Sequence, residues 1–296
     1  MGPGSRAGTG PSAHLGGVIV GGAHPVAVMG VLNVSPESFY PGSVHGTDAL
    51  RAAGAAMVDA GAALLDVGAM STAPYRAGRV DAGHERDRLV AAVEALAAKV
   101  SVPLSVDTAR VEPLAAALDA GASVLNDVTG LADPAVARLA AARGVPVIAM
   151  ASPAAAAAAG VDPETADDPI TVIRACLAGS LARARAAGLA SDRIVLDPGI
   201  GFFLSDAEAR AAWDAGVLAR LGELADLGRP LAVGVSRKSF IGTITGRRDP
   251  ADRLAGSLAA TALAVAAGAA LVRTHDVAAT LDAVRLTERL LAAGAS

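Results

Sequence analysis

One cysteine, an aromatic share of 2% and 25 basic residues of which only Lys99 and Lys238 are lysines mark what this 296-residue chain has least of. A single thiol forms no internal disulfide, and the apolar helical run around Cys176 reads as the setting of a buried, inert side chain. That fits a cytoplasmic protein. His14, His24, His45 and His84 stand at no metal-ligand spacing, and no zinc motif occurs. No G-x-G-x-x-G follows the first apolar run and no Walker A sequence is found, which argues against dinucleotide and P-loop sites. The apolar stretch over 256–272 ends at Arg273, short of the roughly 20 residues a membrane span needs. Val18-Ile19-Val20 is too short for the apolar region of a signal peptide. A formal charge of −4 and a pI near 5.7 give no overall reason to bind nucleic acid or an anionic membrane, so any anion site is local.

What is present is a large apolar fraction, 53%, in a chain whose length suits two average domains or one α/β barrel of roughly 250 residues. Eight short apolar runs recur, at 26–32, 63–67, 102–106, 123–125, 145–149, 193–196, 231–235 and 270–272, each followed by a helical pattern. Leu89, Val93, Leu96 and Val100, for example, fall on one face of a helix. Strict βα alternation predicts a parallel sheet covered by its own crossovers, and eight units predict closure. The expected fold is α/β, a single-domain (β/α)8 TIM barrel over 23–296, preceded by a flexible arm rich in Gly, Pro and Ser over 1–22. The run Ala154 to Ala159, flanked by Pro153 and Gly160, reads as a loop or a short helix.

Polar residues collect where strands end. Asn33, Asp66, Asp107, Asn126, Asp197, Lys238 and Arg273 all stand at or just past the C-terminal end of an apolar run, and in a barrel those ends meet at one mouth. Each carboxylate could singly be a helix cap. Together they form a wall suited to the N–H donors and ring nitrogens of a flat polar heterocycle such as a pterin or purine, where an unmatched buried donor costs roughly 1–3 kcal/mol. Arg273-Thr274-His275-Asp276 follows the last run, where barrels often hold phosphate, and a guanidinium beside an imidazole forms a clamp for phosphate or diphosphate.

These residues also form a series. Met29 to Phe39 (MGVLNVSPESF), Asp66-Val67-Gly68 with Ser71-Thr72, Ser105-Val106-Asp107-Thr108, Asn126-Asp127, Asp197 to Phe202 (DPGIGF), Ser236-Arg237-Lys238-Ser239 and Arg273-Thr274-His275-Asp276 resemble the dihydropteroate synthases in order and spacing, from about Val26 onward. The resemblance implies a transferase of folate biosynthesis that joins 6-hydroxymethyl-7,8-dihydropterin diphosphate to p-aminobenzoate and releases diphosphate, as a Mg2+-dependent homodimer with small-molecule substrates only. It also implies roles. Asp107, Asn126, Asp197 and Lys238 would line the pterin pocket, with Asp107, Asp197 and Lys238 catalytic. Asn33, Arg273 and His275 would hold the diphosphate, with Asn33 also serving the Mg2+. Ser71, Thr72, Phe202 and Ser239 would border the arylamine.

Departures from that pattern fall in three loops. Pro41 stands where the first loop carries a carboxylate, Ala73 where the second carries an arginine, and Ala151 where the fifth carries a histidine. Arg76, three residues past Ala73, is a candidate replacement charge. Two alternatives follow: a non-catalytic pterin-binding homologue, and a methyltransferase resembling the methyltetrahydrofolate:corrinoid enzymes, which have no diphosphate to hold.

Overall fold

A computed structural model describes residues 10–34, 47–69, 81–166 and 168–294. Eight parallel strands close on themselves in the order β10-β3-β4-β5-β6-β7-β8-β9. They are β3 (Ala27–Asn33), β4 (Leu64–Gly68), β5 (Leu104–Asp107), β6 (Val124–Asp127), β7 (Val147–Met150), β8 (Ile194–Asp197), β9 (Leu231–Val233) and β10 (Ala269–Thr274). Helices return the chain across the outside: α1 (Thr47–Asp59), α2 (Ala82–Ala97), α3 (Val111–Asp119), α4 (Pro134–Ala142), α5 (Pro153–Ala159), α6 (Pro169–Ala186), α7 (Ala207–Ala219), α8 (Ser239–Thr245), α9 (Leu254–Ala266) and α10 (Val277–Gly294). This is the (β/α)8 barrel that the alternation predicts. Leu89, Val93 and Leu96 on α2 are buried against the sheet, as their spacing requires. The alanine run becomes α5, with Ser152 Oγ accepting from Ala155 N and Gly160 closing the helix in the left-handed region.

Seven of the strands end one or two residues later than the apolar runs suggest, and in five of these the residue that extends the strand is polar and still pairs in the ladder. Asp107 pairs with Gly68 on one side and Asn126 on the other, and Asp197 pairs with Met150. The seventh run behaves oppositely. Expected over 231–235, it leaves the sheet after Val233 as the chain turns, with Lys238 N donating to Val235 O and Arg237 in the left-handed region at φ 59°.

The flexible arm expected over 1–22 needs correction at 12–21, while its residues 1–9 lie outside the described residues. Residues 12–21 form an antiparallel hairpin, β1 (Ser12–Leu15) and β2 (Val18–Gly21), around the turn Gly16-Gly17. Its alternating residues Ala13, Leu15 and Val20 are wholly buried among Met29, Leu64, Val124, Ile148, Val195 and Leu271. The hairpin plugs the bottom of the barrel, where inward apolar side chains from the strands would otherwise meet water. Leu15→Ala is therefore expected to cost about 2–5 kcal/mol, the usual range for truncating a buried leucine. Urea unfolding measures that loss, and ligand affinity at the opposite end should stay unchanged.

Candidate active site

At the mouth, strand alternation aims Asp66, Asp107, Asn126 and Arg273 inward. Arg273 Nε donates to Asp66 Oδ2 at 2.7 Å and its Nη2 to Asp107 Oδ2 at 3.4 Å. Asn126 Nδ2 donates to the same Asp66 oxygen at 3.1 Å. The side chains of Asp66 and Asp107 are 0% and 4% exposed and that of Arg273 21%, so the three charges sit in low dielectric. Burial, followed by the neighbouring Asp66 charge, pushes Asp107 up to about 7, and Arg273 only partly offsets this. Burial likewise opposes the charge on Arg273, but the two carboxylates outweigh it and hold the guanidinium above its ordinary value. Asp66 Oδ1 and Asp107 Oδ1 each stay buried with no hydrogen-bond partner among the described residues. Asp66 thus fixes Arg273 from below, and Asp107 keeps an acceptor for a ligand.

The second wall is the loop after β8. Asp197 Oδ1 accepts from Gly199 N at 2.7 Å, and burial pushes this carboxyl up to about 6 against the pull of that N–H and of Lys238. Gly199 has φ 71°, and a Cβ there would lie 1.9 Å from Ala151 O, so only glycine permits the loop to pass so close. Gly201 N donates to Asp214 Oδ1 at 2.8 Å, and Phe203, fully buried, stacks on Trp213 with ring centroids 5.3 Å apart. The Lys238 ammonium lies 4.3 Å from the centre of the Phe202 ring. Burial, then Arg273, pulls Lys238 down to about 8, while Asp197, Asp214 and Asp107 act in the other direction.

The third part ties β9 to β10. Ser236 Oγ and His275 Nδ1 are 3.0 Å apart, and His275 N donates to Ser236 Oγ at 3.2 Å. Arg237 grips Asp276 with two bonds, Nε to Oδ2 at 3.0 Å and Nη2 to Oδ1 at 2.5 Å. Burial, then the Arg273 and Arg237 charges, drives His275 down to about 3, so the imidazole is neutral at pH 7. The clamp expected from sequence therefore takes its charge from Arg273, and His275 can add only a neutral hydrogen bond.

These elements line a small cleft open to solvent, walled by Asp107, Asn126, Asp197, Phe202, Lys238 and Arg273. Six of the expected site residues are brought together there. Asn33 ends β3 at the mouth beside Gly68 and Asp107, outside the cavity wall. His275 also stands outside it, and Ser239 opens α8 half-buried behind Lys238. Ser71, Thr72, Pro41, Ala73 and Arg76 lie outside the described residues. Ala151 is buried, with its N–H on Asp197 O, so this departure supports the β8 loop. Asp66, placed at the mouth by the sequence but given no individual role there, is the residue that holds Arg273, and Asp214 is the one sequence reasoning missed, since it reads as an ordinary helical acid.

A closed barrel with a mouth of carboxylates, an amide and two half-buried cations defines a class, the α/β-barrel enzymes that bind a flat nitrogen heterocycle beside an anionic group. Residues 29–275 match the family described as pterin binding enzyme. The dihydropteroate synthase of Escherichia coli K12 is 37% identical over 273 residues, covering 92% of this chain and 93% of that protein. The Mycobacterium leprae dihydropteroate synthase is 38% identical over 285 residues, covering 91% and 95%. Among solved structures, Xanthomonas albilineans dihydropteroate synthase with 4-aminobenzoic acid superimposes with a TM-score of 0.83 at 38% identity, covering 95% of this chain and 98% of that one. The same enzyme in complex with 7,8-dihydropteroate gives a TM-score of 0.80 at 37% identity over the same shares. The chain belongs to the dihydropteroate synthase family, the transferases of folate biosynthesis, within the pterin-binding enzymes.

Proposed function

We propose that this chain joins 6-hydroxymethyl-7,8-dihydropterin diphosphate to p-aminobenzoate and releases diphosphate. The observation that carries the reading is the cavity in which Asp107, Asn126, Asp197 and Lys238 surround a space ending at the Arg273 guanidinium. Carboxylates and the amide match the N–H groups of a pterin, Lys238 donates to a ring acceptor, and Arg273 meets the charged tail. In the reaction the methylene C–O bond breaks, its electron pair leaves with diphosphate, and positive charge spreads from the methylene into the ring. Asp197, ionised and buried, stabilises that charge, with Asp107 and Lys238 holding the ring in register. The arylamine nitrogen then forms the new C–N bond and gives its proton to solvent. Phe202 and Ser239, with Ser71 and Thr72, border the arylamine, while Asn33 and His275 assist Arg273 with the phosphates. A methyltransferase would leave the Arg273 charge without a ligand role.

The residues at Asn33 fit a Mg2+ ion that arrives with the substrate. A Cβ on Gly68 would stand 3.1 Å from Asn33 Oδ1, so glycine there leaves room around that oxygen. Among the described residues no group of three His, Cys, Asp or Glu side chains could hold a metal. Such an ion keeps water and phosphate oxygens as most of its shell and needs few protein ligands. Bound at Asn33, Mg2+ would neutralise charge on the departing diphosphate. We also propose that the chain forms a homodimer and works in the cytoplasm. Leu263, Leu286 and Leu290, exposed on the neighbouring helices α9 and α10, support the first, and a single buried thiol with no disulfide supports the second.

The test is turnover of the pterin diphosphate with p-aminobenzoate, with diphosphate and dihydropteroate expected in equal amounts. Asp197 must lose its proton to act and Lys238 must keep its own. With the first pushed up to about 6 and the second down to about 8, kcat/KM should rise with pH through about 6 and fall above about 8. Absence of dihydropteroate at pH 7 with Mg2+ present would overturn the reading.

A further inference from the structure

Asp214 lies on α7, outside the cavity wall, and is fully buried. One of its oxygens accepts from Gly201 N at 2.8 Å, and the other is buried with no hydrogen-bond partner among the described residues. An acid kept in this state is costly, and a neutral asparagine could tether Gly201 equally well. The charge therefore calls for a partner, and Lys238 is on the other side of the same glycine. A Cβ on Gly201 would come 3.0 Å from Lys238 Cδ and 3.5 Å from Nζ. Phe202, the next residue, lies under that ammonium.

We propose that Asp214 is a positioning residue of the ring pocket: it fixes Gly201 and Phe202 beneath Lys238 and adds, from behind the pocket, a buried negative charge to those of Asp197 and Asp107 that keep Lys238 an ammonium. The inference rests on the proposed function, which gives Lys238 a ring to hold. Lys238 is faced by Asp197 from the end of β8, Asp214 from α7 and Asp107 from β5, all favouring its charge, and by Arg273 from β10, which opposes it together with burial. Asp214 in turn faces Lys238 and Arg210. Burial pushes Asp214 up to about 6, so it is ionised where Lys238 titrates. Removing it leaves Arg273 repulsion less opposed.

Because the chain has only two lysines, Lys99 and Lys238, NMR of protein labelled with 13C at the lysine Cε reads Lys238 directly, with Lys99 as internal control. Asp214→Asn keeps an oxygen for Gly201 N while removing the charge, and Asp214→Ser provides a second neutral variant. In both, Lys238 is expected to titrate about one unit lower with Lys99 unmoved, and the alkaline limb of kcat/KM should move with it. A Lys238 titration equal to wild type, with only thermal stability altered, would reduce Asp214 to a structural role and overturn the inference. Should Lys238 shift as expected while wild-type protein makes no dihydropteroate, the coupling stands and the proposed function fails. Wild-type turnover with an unmoved Lys238 removes the inference alone.

Discussion

Asp197→Asn is expected to lower kcat/KM for the pterin diphosphate about 100- to 1,000-fold, with most of the loss in kcat. The substitution keeps size and leaves an oxygen for Gly199 N, so the loop after β8 has no steric reason to move. What disappears is a negative charge held in a buried wall next to the carbon where positive charge develops. A preorganised charge of this kind is worth most in the transition state, so removing it should cost about 2.7–4 kcal/mol there and less in ring binding. Steady-state kinetics and calorimetric binding of the pterin separate the two. Because burial raises the Asp197 carboxyl to about 6, the variant should also lose much of the acid limb of the pH profile. A kcat within threefold of wild type would take Asp197 out of the bond-breaking step.

The parts of this site that could be read from sequence share a property: they sit next to a strand end in a repeating βα pattern. Asp107, Asn126, Asp197 and Arg273 needed only the count of eight apolar runs to be placed at one rim. The hairpin over 12–21 was hidden because its strands have four residues each and bury alternate positions only, too short for periodicity to register. The Gly16-Gly17 pair is a hairpin-turn signal that could have revealed it. Asp214 was hidden for another reason. It sits on a helix, and its link to Lys238 passes through Gly201, so only the folded loop brings the two to bear on one residue. The neutral state of His275 was out of reach as well, since it depends on burial and on two guanidiniums, one of them held in place by Asp276.

The same dependence on neighbours makes Arg273 the residue whose loss should be felt most widely. Arg273→Met removes the cation between Asp66 and Asp107 while keeping much of the side-chain volume. Two carboxylates then face each other in a buried site, and breaking such a pair from one side typically costs about 3–5 kcal/mol. In a chain of this size that corresponds to a fall in Tm on the order of 10 °C. The loss has a pH signature whose sign is fixed. Asp107 is already pushed up to about 7, above its unfolded value, and losing Arg273 raises it further. A carboxyl raised in the folded state favours folding at low pH, and that contribution is lost as pH rises through the folded value. The variant should therefore be closer to wild-type stability at pH 5.5 than at pH 8. Adding Asp66→Asn removes one of the two charges and should restore part of the stability at pH 8, while affinity for the pterin diphosphate stays low because the tail has lost its cation. Equal destabilisation at both pH values, unrelieved by Asp66→Asn, would mean that packing, not charge, is what Arg273 contributes to the mouth of the barrel.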